Sequence, residues 1–140
     1  MSPTQSKARD TGILERLRTA GLRPTRQRLA LAKLLFAHGP RHVTAESLFG
    51  EAKAKRVNVS LATVYNALHD FTDKGLLREI SIEANRSYFD TNIGDHHHFY
   101  FERTGKLQDV ALDSVRITSL PHPPAGEKIA RVDVIIRIAG

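Results

Sequence analysis

Three consecutive histidines, His96, His97 and His98, lie between a turn-rich, acidic stretch "DTNIGD" (90–95) and an aromatic run "FYFE". If "HHHFYFE" is a strand, its side chains alternate between faces. His96 and His98 then point one way and His97 the other. Two imidazoles at i and i+2 form a chelating pair that suits zinc, iron, manganese or haem iron better than calcium or magnesium. A pair alone does not make a site. Asp90 stands just ahead of the turn, Asp109 lies across the Thr104-Gly105 turn, and His42 sits in "GPRHVTAE". Together His42, Asp90, His96, His98 and Asp109 form a mixed nitrogen–oxygen set open to divalent iron or manganese. The bland alternative is three solvent-exposed strand histidines. His38, His69 and His122 read as structural or surface positions.

A second constellation suggests recognition rather than ligation. "SLATVYNALHDFTDKG" (60–75) has Ser60 as N-cap, Leu61, Val64, Leu68 and Phe71 at helical spacing, and Gly75 as a stop. Its opposite face carries Thr63, Tyr65, Asn66 and His69. A hydroxyl, a phenol and an amide side by side are groups that contact base edges in a major groove. Arg23, Arg26 and Arg28, upstream, would supply phosphate contacts.

The elements that must position these residues follow from caps and periodicity. Thr11 is expected to cap a first helix carrying Ile13, Leu14 and Leu17, closed by Gly21. Thr25 caps a second, with Leu31, Leu34 and Leu35 on its apolar stripe. Thr44 caps a third, with Glu46 in the first turn and Ala45, Leu48, Phe49 and Ala52 on one face. After the 60–75 helix, "LLREISIEANRSYFD" turns at Ala84-Asn85 and reads as a β-hairpin. Short helices followed by a hairpin describe a winged helix-turn-helix with the 60–75 helix as reader. Beyond the turn, "HFYFE", "KLQDVAL", "SVRITSL" and "IARVDVIIRI" read as strands, while "PHPPAGEK" is too proline-rich for a helix. The expected fold is therefore α+β. Residues 1–90 form a winged-helix DNA-binding domain, 91–95 a linker, and 96–140 a small α/β, mostly antiparallel, dimerisation and sensing domain. So small a sheet buries too little alone, and a second copy of the chain is the usual remedy.

Charge supports the division. Of a net +6, residues 1–84 carry 14 basic against 8 acidic side chains, whereas residues 85–140 carry 7 of each. All the excess positive charge lies in the half with the reading helix, the footprint of a nucleic-acid partner. The absence of cysteine excludes disulfides, thiol catalysis and a Cys-based structural zinc. No apolar run is long enough to span a membrane, and "MSPTQSKARDTG" is no secretory signal. The expectation is a cytoplasmic protein. A small metalloenzyme is the rival class, but no positioned nucleophile, glycine-rich cradle or general base stands beside the ligands, so no enzyme is expected.

"GLRPTRQRLALAKLL", "RHVTAESLF", "VNVSLATVYNALHDFTDKGLL" and the histidine triplet followed by "TGKLQDV" resemble the ferric uptake regulator (Fur) superfamily, from about Gly12 onward. "HHHFY" and the "YN" after "TV" resemble its iron response regulator (Irr) branch. The resemblance implies a dimeric, iron-responsive transcription factor that binds a pseudo-palindromic operator in double-stranded DNA. It places the regulatory metal on His42, Asp90, His96, His98 and Asp109, a base contact at Tyr65 and a minor-groove contact at Arg23. The Irr branch implies haem sensing, here through His96, His97 or His98. The alternative within the family is a non-haem Fe(II)- or Mn(II)-dependent, or peroxide-sensing, repressor, and Asp109 resembles the peroxide-responsive relatives. Two departures stand out. The family's CxxC zinc pairs are missing, and Asn66 replaces the arginine that commonly follows the reading-helix tyrosine, which implies a different operator.

Overall fold

The computed structural model describes residues 3–140, with side-chain environments from residue 11 onward. Two compact units divide between Ile93 and Gly94.

The N-terminal unit is built on four helices: α1 (Pro3–Thr19), α2 (Arg26–Phe36), α3 (Ala45–Ala54) and α4 (Leu61–Asp73). Three start on a hydroxyl cap. Thr25 accepts the Arg28 N–H, Ser60 accepts the Thr63 N–H, and Thr44 forms a reciprocal capping box with Ser47. Each cap satisfies donors that a helix start leaves orphaned. The helices meet in one apolar cluster that includes Leu17, Leu31, Leu35, Leu48, Val64, Leu68 and Phe71, all inaccessible to solvent. Phe89 enters this cluster from a small antiparallel sheet, ordered β1 (His42–Val43), β3 (Arg86–Asp90), β2 (Arg78–Glu83). The β2–β3 hairpin is the expected wing.

Two details differ from the sequence expectation. The first helix starts at Pro3 rather than after Thr11, because a proline at the first helical position has no N–H to leave unsatisfied. Strand β1, two residues long, carries no alternation from which it could be read.

The C-terminal unit is a three-stranded sheet in the order β5 (Lys106–Val110), β4 (His97–Phe101), β6 (Ile135–Ile138). The β4–β5 hairpin is antiparallel, but β6 runs parallel to β4. "SVRITSL" is not a strand, and only the last four residues of "IARVDVIIRI", Ile135–Ile138, join the sheet. A parallel partner needs a long connection. The stretch from 111 to 134 supplies it, with Pro121, Pro123 and Pro124 unable to donate to a ladder. The apolar residues buried here are Tyr100, Leu107 and Val110, while Leu112, Ile117, Leu120 and Ile129 are exposed. Among the described residues, no helix is long and apolar enough to cross a membrane.

Candidate metal ligands and nucleic-acid interface

In the N-terminal unit, strand pairing brings His42 directly opposite Asp90. His42 Nε2 lies 3.1 Å from Asp90 Oδ2. Asp90 is fully buried, and its Oδ1 accepts the Asn92 N–H at 2.8 Å. The neighbouring Arg41 fixes this rung. Its N–H donates to Thr91 Oγ1 (2.9 Å), and its guanidinium reaches both the Leu34 carbonyl (3.0 Å) and Glu51 Oε1 (2.9 Å). Thus α2, α3 and the end of β3 all hold the residue beside His42.

In the C-terminal unit, His98 stands opposite Asp109 across the β4–β5 ladder, and His96 lies on the same side one position ahead of the strand. Both Nε2 atoms approach a single oxygen, Asp109 Oδ1, at 3.3 Å from His96 and 3.5 Å from His98. The three donor atoms lie within 4.8 Å of one another, and the two rings are 4.5 Å apart. His96 Nδ1 sits 2.6 Å from the Gly94 carbonyl oxygen. A carbonyl only accepts, so Nδ1 carries the proton and Nε2 of the neutral ring presents a lone pair. A lone pair facing a carboxylate oxygen is repulsive until a proton or a metal cation comes between them. The carbonyl behind the ring is the kind of outer support that metal-ligating histidines use. These residues therefore fit a divalent cation of borderline hardness.

His97 has another task. It faces the opposite side, and its Nδ1 accepts the Val134 N–H at 3.2 Å, tying β4 to the segment entering β6.

The nucleic-acid candidates all lie in the N-terminal unit. Arg23 and Arg26 are exposed. Arg28 is engaged internally: its guanidinium donates to Asp70 Oδ2 at 2.8 Å and to the Arg23 carbonyl at 3.1 Å. It joins α2 to α4 rather than standing free. Thr63 is half-buried, its Oγ1 2.9 Å from Ser60 Oγ. Asn66 is exposed and lines a cleft of about 190 Å³ between α2 and α4, with Thr25, Arg28, Thr63 and Asp70.

Tyr65 is 37% exposed, and its hydroxyl donates to Glu46 Oε1 at 2.6 Å. That hydrogen bond holds the Glu46 carboxyl below the usual carboxylate range and pushes the Tyr65 phenol above its ordinary value. Glu46, Asp70 and Arg41 were not singled out as site residues from the sequence. Glu46 was legible only as a first-turn acid of α3, because its contact lies on another helix, 19 residues away.

Residues 19–131 match the model of the ferric uptake regulator family. The chain belongs to that family. Among curated relatives of this Fur-family chain, the peroxide-responsive repressor PerR of Staphylococcus epidermidis is 38% identical over 93 residues, 66% of this chain and 61% of that protein. The transcriptional regulator FurA of Mycobacterium tuberculosis is 37% identical over 97 residues, 69% and 65% respectively. The chain thus spans less than two thirds of the length of either. The Fur fold is shared with solved structures. The ferric uptake regulator of Pseudomonas aeruginosa with manganese aligns at TM-score 0.67 and 23% identity, covering 90% of this chain and 96% of that one. The Vibrio cholerae ferric uptake regulator aligns at 0.70 and 21%, covering 90% and 98%.

Proposed function

We propose that this Fur-family chain is a cytoplasmic transcriptional regulator that binds double-stranded DNA as a homodimer and responds to Fe(II) or Mn(II). The observation that carries the metal response is the convergence of the His96 and His98 Nε2 atoms on one Asp109 oxygen. Two imidazoles and one carboxylate leave further positions open on iron or manganese, for water or additional oxygen ligands. The family resemblance adds His42 and Asp90 to the ligand set, and their Nε2 and Oδ2 atoms offer the same donor types. A bound cation would supply positive charge to these donors.

DNA recognition rests on α4 and on the positive charge of the N-terminal half. Arg23 and Arg26 contact phosphates. Tyr65 offers its ring to a thymine methyl and Asn66 pairs with an adenine edge. Arg28 serves this surface by holding α2 to α4. The test is fluorescence anisotropy of labelled duplexes from a randomised library, with and without Mn(II), for the native chain and His42→Ala. Mn(II)-dependent, salt-sensitive and sequence-preferring binding that His42→Ala loses is the expected result. Binding indifferent to both metal and substitution refutes the metal response.

Two finer forms differ in the signal. A peroxide response is favoured by identity to a protein named as a peroxide-responsive repressor. Bound Fe(II) would then direct oxidation onto a ligand, and mass spectrometry after peroxide treatment would find added oxygen on peptides containing His42 or His96. An Irr-like haem response rests on the resemblance of "HHHFY" and the "YN" after "TV" to that branch. Haem binding by His96 or His98 would give a saturable Soret shift that a His96→Ala/His98→Ala variant loses. His97 suits this role less, since accepting from Val134 at Nδ1 leaves the proton on Nε2.

A further inference from the structure

From the Tyr65–Glu46 contact we infer that Glu46 is a specificity-determining residue for DNA, fixing the Tyr65 hydroxyl as a hydrogen-bond acceptor and so selecting base edges that donate. The inference rests on the DNA-binding reading above.

A phenol has one proton to give. In this chain that proton is committed to Glu46 Oε1 at 2.6 Å, between the first turn of α3 and the exposed face of α4. With its proton committed, the phenol oxygen has only lone pairs for a base. Guanine offers N7 and O6, and thymine O4, at the major-groove edge. All are acceptors, and a proton-committed phenol gains nothing from them. The N4 amine of cytosine and the N6 amine of adenine are donors, and both are compatible. The second Glu46 oxygen adds to the same preference, because a carboxylate accepts from cytosine N4. Glu46 and Tyr65 therefore act as an acceptor pair set beside Asn66, whose amide has donors as well as an acceptor.

Position keeps the carboxylate charged. Glu46 lies in the first turn of α3, where the helix dipole favours an anion. An exposed anion on a phosphate-facing surface opposes non-specific binding. Its removal has two separable effects: a general gain in affinity for any sequence, and a change in which base is preferred. Only the second identifies a specificity role.

The experiment selects bound sequences from a randomised duplex library with Mn(II)-loaded native protein, Glu46→Gln, Tyr65→Phe and the double variant. Glu46→Gln is nearly isosteric, and its amide can donate to the phenol oxygen, freeing the Tyr65 proton. The expected result is a change of about tenfold in the preference ratio at one base position, away from cytosine or adenine and toward guanine or thymine. In the Tyr65→Phe background, Glu46→Gln should no longer produce that acquired preference for an acceptor base. A residue that merely stabilised α3 would act alike in both backgrounds. Unchanged base preferences in Glu46→Gln, with native protein still selecting an operator, overturn the inference alone. No sequence selected by the native protein overturns it together with the DNA-binding reading.

Discussion

Asp109 places one carboxylate oxygen within reach of two imidazole nitrogens. With the metal bound, Asp109→Asn removes the anionic oxygen that the two imidazoles share. Calorimetric titration should show Mn(II) affinity reduced by about tenfold or more, whereas His97→Asn should leave it within a few-fold of native, a contrast based on the contribution of individual donors. The Glu46–Tyr65 bond also makes a pH prediction. Glu46 is depressed, so its contribution is present above its unfolded value and is lost as pH falls through the folded one. Tyr65 is raised, so its contribution is present below its unfolded value and is lost as pH rises through the folded one. The contact operates between those limits. Absorbance titration, read as the difference between the native chain and Tyr65→Phe, should find the Tyr65 phenol ionising late, and Glu46→Gln should bring it down. The i, i+2 histidine spacing was legible because strand alternation converts it into a shared face. The Gly94 carbonyl and Val134 N–H, which give His96 and His97 different tautomers, were not. Neither contact belongs to a sequence period.

Caps decide much at the level of elements. Ser60 closes the start of the reading helix, so Ser60→Ala should lower urea stability by about 1 kcal/mol. The Arg28–Asp70 pair is partly exposed, with side chains 26% and 42% accessible, so Asp70→Asn should cost only about 0.5 kcal/mol. Its larger effect should be on DNA affinity, because it loosens α2 from α4. If Arg28 instead served as a free phosphate contact, releasing it from Asp70 would strengthen binding and steepen its salt dependence. The helices α2 to α4 and the wing were readable because hydroxyl caps, apolar stripes and the Ala84-Asn85 turn all agree locally. Strand β1 was not, since two residues held by Arg41 and Thr91 have no pattern of their own. Nor was the direction of β6, which depends on a partner far away in sequence rather than on the alternation within "IARVDVIIRI".

The two units differ in how they are stabilised. The N-terminal one has a continuous buried cluster, while the C-terminal one leaves Leu112, Ile117, Leu120 and Ile129 exposed around a thin sheet. Under the proposed homodimer, these apolar residues are the natural ones to cover. An Ile117→Glu/Leu120→Glu variant should sediment as a monomer at concentrations where the native chain is a dimer, with its helical circular dichroism retained. The parallel β4–β6 pair has a further consequence, and it concerns time. The helices of the N-terminal unit are joined by near neighbours in sequence, but β6 meets β4 only after residues 102–134 have been looped back. Non-local pairs of this kind form late. That order would leave one edge of β4 open until β6 returns. Pulsed hydrogen exchange during refolding should find the amides of Ile135–Ile138 protected last.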